Sequence, residues 1–321
     1  MSDWRPTASL EMLKTKARLL SKLRAFFAEK NILEVQTPLL SQAGNTESTI
    51  ESFVVQQKNN KSYLNTSPEF AMKRLLAAGY GSIYQITPAF RQEEQSKRHN
   101  AEFTLLEWYH IGFDHYALMQ EVDELIRFVA ADDIKLLPSQ HYTYQDAMIK
   151  FADIDPFNTT VSELKTATQN AGLDVVGMDD VPHDTWLDLL MSEVVEKNLP
   201  LSCPVFIYDY PASQAALAKI RKAELHDVAE RFELYINGME LANGFHELSD
   251  ATEQEQRFHK DQQQRKKNKQ QSIPLDKYLI EAMKEGLPEC AGVALGLERL
   301  LMVLTATEDI NNVLAFPFDS A

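Results

Sequence analysis

Apolar residues first recur at helical spacing, at Leu13, Ala17, Leu20, Leu23 and Phe27, in a run that reaches Lys30. Ser9 stands before the run as an N-cap, with Glu11 in the first turn where a carboxylate complements the helix dipole. Residues 31–38 then read as a short strand ended by Pro38, which has no N–H to give to a ladder. Residues 53–55 and 61–64 read as paired strands across a turn at Asn59 and Asn60. Residues 83–90 and 103–109 alternate or run apolar around the most polar nearby segment, 91–102, which predicts a long hairpin with a charged loop. Asp114 caps the next helix, whose buried stripe is Leu118, Val122, Leu125, Ile126 and Val129. Residues 132–200 are punctuated by Pro138, Pro156, Pro182 and Pro200 and predict one helix over about 184–197, with Trp186, Leu190 and Val194 on one face. His141 and His183 in this stretch read as surface or capping residues. An apolar strand over 204–211 and another over 231–236 follow. Asn237-Gly238 is a hairpin signal, and 240–245 is the returning strand. Residues 292–304 are a glycine-bearing strand running into a helix. Hairpins interspersed with helices place the chain in the α+β class.

Composition narrows this little. At 321 residues, 44% hydrophobic and 25% charged, the chain has ample material for a core. A net charge of -15 argues against a general phosphate-binding surface, since nucleic-acid affinity draws on basic patches. No apolar run approaches the ~20 residues of a membrane span. The polar first ten residues do not resemble a secretory signal. Cys203 and Cys290 lack metal-ligand spacing and read as reduced and buried, which suits a cytoplasmic location. Residues 250–277 are rich in Gln, and the run Arg265, Lys266, Lys267 and Lys269 reads as the solvated face of a helix, with contact to a macromolecular partner as the alternative.

The candidate chemistry gathers on the hairpin. Arg91 and Glu93 leave one face of a strand end, and Phe103 returns beside them. A planar guanidinium for phosphate oxygens, an aromatic face for a purine and a carboxylate for its amino group make an adenine-nucleotide site. Glu107 and Tyr109 repeat the two-residue spacing one strand-length deeper. Ser67-Pro68-Glu69 reads as a helix start, with Ser67 as cap, Pro68 in the first helical position and Glu69 against the dipole. Glu233 and Glu240 flank the later hairpin turn. As bare sequence they are an exposed pair, and carboxylates so placed also suit Mg²⁺ against phosphates. The glycines at 292 and 296 permit close backbone approach to a ligand, and Arg299 follows them.

Phe90-Arg91-Gln92-Glu93 followed by His99-Asn100-Ala101-Glu102-Phe103 resembles motif 2 of the class II aminoacyl-tRNA synthetases of lysyl type. Residues 292–299, with Gly296, Glu298 and Arg299, resemble motif 3. Residues 27–40 resemble motif 1, and Glu240-Leu-Ala-Asn-Gly-Phe-His-Glu247 also matches. This resemblance implies one class II catalytic domain over 1–321, an antiparallel sheet flanked by helices, with a variable insertion at about 132–200 and a homodimer built on motif 1. It implies ATP as co-substrate, with Arg91 and Arg299 catalytic. Gln92, Glu93, His99, Asn100, Phe103, Glu240, Leu241 and Gly296 would lie at the nucleotide, and Mg²⁺ on Glu233 and Glu240. It implies an amino-acid pocket of Ser67, Glu69, Asn243 and Phe245 near the α-end, with Glu107, Tyr109 and Glu247 for a distal ammonium. The substrate implied is lysine or an isomer of it.

Two departures refine the resemblance. Only 26 residues precede Phe27, too few for an anticodon-reading OB-fold, and Ala294 stands where the synthetases carry glycine. Both features, with residues 211–215 and 242–248, resemble the elongation factor P–(R)-β-lysine ligases. Glu298 departs from the Asp usual there. The implied reaction is adenylation of (R)-β-lysine and transfer to a lysine ε-amino group of elongation factor P. A truncated lysyl-tRNA synthetase forming lysyl-adenylate is one alternative, and a non-catalytic amino-acid-binding paralogue is another. Intact Arg91, Glu240 and Arg299 weigh against the latter. No membrane association is expected, and the acidic charge disfavours tRNA.

Overall fold

A computed structural model describes residues 4–58, 60–92, 95–178, 181–223 and 225–321. Asn59 and Glu93, both named above, lie outside the described residues. Helix α1 (Leu10–Glu29) starts where Ser9 Oγ accepts the Met12 N–H. Strands β1 (Leu33–Glu34), β2 (Leu40–Ser41), β3 (Val54–Gln56) and β4 (Lys61–Leu64) precede α2 (Glu69–Ala77). The hairpin β5 (Ile83–Phe90) and β6 (Glu102–Ile111) leads to α3 (His115–Ala130), capped by Asp114. Strand β7 (Gln140–Thr143) and helices α4 (Tyr144–Ala152), α5 (Val161–Asn170) and α6 (His183–Leu190) follow. A π-helical turn at Met191–Val195 joins α6 to the short α7 (Glu196–Asn198). The chain closes with β8 (Pro204–Pro211), β9 (Ile220–Arg221), β10 (Val228–Ile236), β11 (Met239–His246), α8 (Ala251–Lys267), α9 (Lys277–Gly286), β12 (Cys290–Gly296) and α10 (Leu297–Leu304).

The main sheet has the order β1-β5-β6-β12-β11-β10-β8-β7, with β9 beside β10. Its inner pairs are antiparallel, and only the outer pairs β1/β5 and β7/β8 are parallel. Strands β2, β4 and β3 form a separate small sheet. Among the described residues no further sheet exists to make a five-stranded barrel, and no helix is long and apolar enough to cross a membrane. Alternation divides the main sheet into two faces. Leu106, Trp108, Phe232, Leu234, Val293 and Leu295 pack into the core with α1, α3 and α10. Glu107, Tyr109, Asn243, Gly292 and Ala294 leave the opposite face and floor a cavity. Residues from 144 to 199 build a second buried cluster, around Trp186 and Leu190, against β8 and β10.

The structure revises several local expectations. The strand read over 31–38 is only Leu33–Glu34, because ladder pairing with β5 covers Ile83 and Tyr84 alone. In α1 the buried positions are Leu19, Leu23, Phe26 and Phe27, whereas Ala17 is exposed and Leu13 and Leu20 are half-buried. After Leu190 the π turn adds a residue to the helical period, so Val195 is buried and Val194 only half-buried. Helix α2 begins at Glu69, one residue beyond the expected Pro68. Ser67 Oγ still accepts the Glu69 N–H at 3.0 Å. The largest revision concerns Arg265, which is not solvated but 1% exposed. It donates to the carbonyls of Glu47, Ile50 and Gln271 and to the Glu51 carboxylate, so it pins the loop over 47–51 against α8. Cys203 and Cys290 are free and buried, as expected.

Candidate active site

Strands β6, β12 and β11 run side by side so that Glu107, Ala294 and Asn243 form one cross-strand row, and Tyr109, Gly292 and Phe245 the next. Gly292 is where the floor most needs a missing side chain. A Cβ there would stand 2.3 Å from the Tyr109 ring and 2.5 Å from Glu247 Oε1, so only glycine lets the two groups meet over the sheet. Above this floor lies a cavity of about 360 Å³.

One end is acidic. Ser67 Oγ and Tyr109 OH donate to the two oxygens of Glu107, each at 2.7 Å. Lys73, one helical turn after Glu69, lies 2.6 Å from Glu69 Oε1 and 2.6 Å from Glu247 Oε2. Two carboxylates thus flank one buried ammonium, and the third, Glu107, lies near both of them. Burial pushes the Glu107 carboxyl up to about 8, and the Glu69 charge adds to it, against the opposing hydrogen bonds from Ser67 and Tyr109. Burial also raises Glu247, with Lys73 opposing and Glu69 assisting. For Lys73, burial alone would favour the neutral amine, but Glu247 and Glu69 outweigh it and hold the ammonium charged.

The other end is built from arginines and an aromatic ring. Arg91 stacks on Phe103, 5.1 Å from the ring centroid, and its Nε donates to the Thr66 carbonyl at 3.4 Å. Arg299 donates from Nη1 to the Glu240 carbonyl at 2.9 Å and to Glu240 Oε2 at 3.3 Å, and from Nη2 to His99 Nε2. His99 Nδ1 faces Ser96 Oγ at 2.7 Å. Asn100 is held by the Glu102 carbonyl and the Phe318 N–H. A second acidic group gathers here. Burial and then the Glu233 charge raise Glu240, and burial followed by Glu240 and Glu233 pushes Glu196 up to about 8.

Of the residues singled out in the sequence, Ser67, Glu69, Arg91, His99, Asn100, Phe103, Glu107, Tyr109, Glu240, Leu241, Asn243, Phe245, Glu247, Ala294, Gly296 and Arg299 all line this one cavity. Two stand outside its lining. Gln92 is tied by its N–H to the Glu51 carbonyl at 2.8 Å. Glu233 lies behind Asn243, where it accepts from Tyr210, Tyr235, Arg231 and Asn243. Sequence reasoning missed Lys73, Arg231 and Glu196. For Lys73 the signal was present in its i,i+4 spacing from Glu69. Arg231 precedes Glu233 by two, on the same strand face, and also donates to Asn243 Oδ1 at 3.2 Å. Glu196 had no local signal, because it arrives from the segment between the motifs.

The chain is similar over its whole length to known proteins. The family described as tRNA synthetases class II (D, K and N) matches residues 1–320. A protein of Vibrio cholerae named elongation factor P–(R)-β-lysine ligase is 47% identical, covering 100% of this chain and 99% of the relative. The proteins of that name from Vibrio parahaemolyticus and Proteus mirabilis are 46% and 45% identical, with coverage of 98% or more on both sides.

Proposed function

The chain belongs to the class II tRNA synthetases of the D, K and N group and, within it, to the elongation factor P–(R)-β-lysine ligases; from that membership we propose that it activates (R)-β-lysine with ATP and transfers it to a lysine of elongation factor P. In the first step a carboxylate oxygen of β-lysine attacks the α-phosphorus, the bond to the bridging oxygen breaks and pyrophosphate leaves. In the second the acceptor ε-amine attacks the acyl carbon, AMP leaves with the C–O electron pair, and the nitrogen gives up its proton to water. The first step brings anions together, so it depends on cations held in place rather than on a general base. Arg91 is the residue we assign to the carboxylate and α-phosphate, and Arg299 to the outer phosphates. Phe103 offers a face to the adenine, and His99, Asn100 and Gly296 border it; Gln92 and Glu93 belong to the same motif.

The single observation that carries the substrate assignment is the surplus of buried carboxylate at the closed end. Lys73 answers only one of Glu69, Glu107 and Glu247, and the proton retained by Glu107 marks the charge still wanting. A diamino acid supplies two ammonium groups. We assign the distal one to Glu107, Tyr109 and Glu247, and the one near the carboxylate to Ser67, Glu69 and Asn243. Ala294 puts a methyl between Glu107 and Asn243 in the floor, which disfavours the α-amino position and favours the β.

The acidic group at the phosphate end fits Mg²⁺, a cation that takes oxygen ligands. Glu240 and Glu233 would hold it, Glu233 in exchange for donors it now accepts from; burial and then the Glu233 charge raise Glu240, which suits a cation there. When bound, Mg²⁺ supplies neutralising charge for the ATP phosphates. We also propose a homodimer through the α1–β1 region. Leu33, Leu39 and Leu40 leave it exposed, and the half-buried Leu13 and Leu20 lie outside the α1 stripe that enters the core. Sedimentation velocity of the purified chain tests that association. Two free buried cysteines fit a reducing compartment.

The reaction is tested by ATP–pyrophosphate exchange with (R)-β-lysine and α-lysine at matched concentrations, followed by mass measurement of elongation factor P. A β-lysine preference with one added β-lysyl group is the expected result. Preference for α-lysine overturns the substrate assignment, and exchange with neither overturns the activity.

A further inference from the structure

The helical face of the main sheet, opposite the cavity, carries a second convergence of ligating side chains. His115 opens α3, Glu230 lies on β10 and His246 ends β11. One ligand atom from each lies within 4.8 Å of the other two. Arg231 and Phe245, their chain neighbours, point to the cavity instead. Alternation therefore sends Glu230 and His246 to the α3 side.

His115 is 1% exposed. Its Nε2 faces Asp209 Oδ1 at 3.2 Å, whereas Nδ1 is buried with no hydrogen-bond partner. With the proton on Nε2 toward the carboxylate, Nδ1 presents a buried lone pair and nothing to receive it. His246 has a partner at both nitrogens, and Lys219 Nζ also approaches its Nε2 at 3.4 Å. Its Nε2 lies 3.2 Å from Glu289 Oε2, and its Nδ1 faces Glu230 Oε2 at 2.5 Å. Each imidazole thus has a carboxylate on a nitrogen, Asp209 for His115 and Glu289 for His246. That is the outer arrangement by which proteins orient metal-binding histidines. Arg221 holds Asp209 Oδ2 and Glu230 Oε1, which leaves Glu230 Oε2 for the interior.

We propose that one imidazole nitrogen each of His115 and His246, with Glu230, binds a divalent transition-metal cation of the zinc type, with water in the remaining position. Imidazole nitrogens select zinc, cobalt, nickel or copper over magnesium and calcium. The cluster holds Asp209, Glu230 and Glu289 against Arg221 and Lys219, one negative charge in excess with both imidazoles neutral. A dication is therefore admitted without an uncompensated anion beside it. The ligand atoms need only draw in, from separations of up to 4.8 Å to the roughly 3.4 Å edge of a tetrahedral zinc site. The ion clasps the start of α3 to β10 and β11, independently of the ATP chemistry on the other face.

The test uses full-length protein freed of any affinity tag, stripped with a chelator and dialysed against Zn²⁺ or Co²⁺ alone. One equivalent of zinc per chain is expected, with a rise in the melting temperature. The Co²⁺ form of the wild type should show visible d–d bands, a readout that needs no variant. His115→Ala and His246→Ala should each weaken zinc binding by more than about 100-fold, and Asp209→Asn by about 10- to 100-fold. His259→Ala, at an exposed histidine of α8, should leave it unchanged. Failure of the wild type to take up zinc, or equal uptake by the His115→Ala/His246→Ala double variant, overturns the site.

Discussion

The two ends of the cavity are built on the same strands yet solve opposite electrostatic problems. At the closed end Glu69, Glu107 and Glu247 crowd one ammonium, and burial holds a proton on Glu107 up to a pH of about 8. At the open end Arg91 lies over Phe103, and Arg299 clamps His99 and the backbone of Glu240. The first end is an excess of anions waiting for a cation, and the second sets arginines for phosphate beside a second acidic group of Glu240, Glu233 and Glu196. Burial raises carboxyls at both ends, so what separates them is the arginines that only the second end adds.

That contrast is broken most forcefully by Lys73→Met. Removing the ammonium that pairs with both leaves Glu69 and Glu247 without it, and should lower stability by about 3–5 kcal/mol in urea unfolding. A loss below 1 kcal/mol would mean that the carboxylates simply take up protons. Arg91→Ala strikes the open end. It should leave the unfolding curve in place and cut adenylate formation by roughly 10²–10³-fold, the usual cost of one preorganised charge-stabilising donor. Substantial pyrophosphate exchange in the folded variant would remove Arg91 from the chemistry.

The pH response sharpens the comparison further. Glu107 has a raised pKa in the folded chain, so the protonated fold is favoured. Its contribution is complete below the unfolded value of 4.5 and is lost as pH rises through about 8. The unliganded protein should therefore lose on the order of 2 kcal/mol across that window, given 1.4 kcal/mol per pKa unit and partial access of water to the cavity. Glu107→Gln should flatten the decline, and so should saturating β-lysine; an equally steep fall in the variant would assign the titration elsewhere. The smallest effect belongs to Ala294→Gly. It should shift the ratio of kcat/KM values toward α-lysine by about tenfold, the worth of one methyl group in a pocket. An unchanged ratio takes Ala294 out of specificity.

Much of this was legible before any coordinates. The β5–β6 hairpin showed itself because alternating apolar strands bracket a charged loop, and the register of two put Glu107 and Tyr109 on one face. Resemblance then supplied the partners from β11 and β12 that no local pattern could bring near. What stayed hidden has a common physical cause. Lys73 sits in a helix where lysine ordinarily faces water, and its burial makes sense only once Glu247 arrives from another part of the chain. Glu196 and Arg265 are likewise explained by distant partners. Val195 displaced Val194 through one π turn, which periodicity at 3.6 residues does not register.

The anchoring of the 47–51 loop by Arg265 bears on how the cavity comes into being. The contact spans 214 residues, so the wall carrying Glu47 and Ile50 closes only after α8 has docked. A contact of such separation must meet its loop-closure entropy before it stabilises the chain. The binding site is therefore expected to form after the folding transition state, which refolding and unfolding rates with and without ATP would show. Amino acid and nucleotide accordingly act as brakes on unfolding, lengthening the lifetime of the finished protein without hastening its formation.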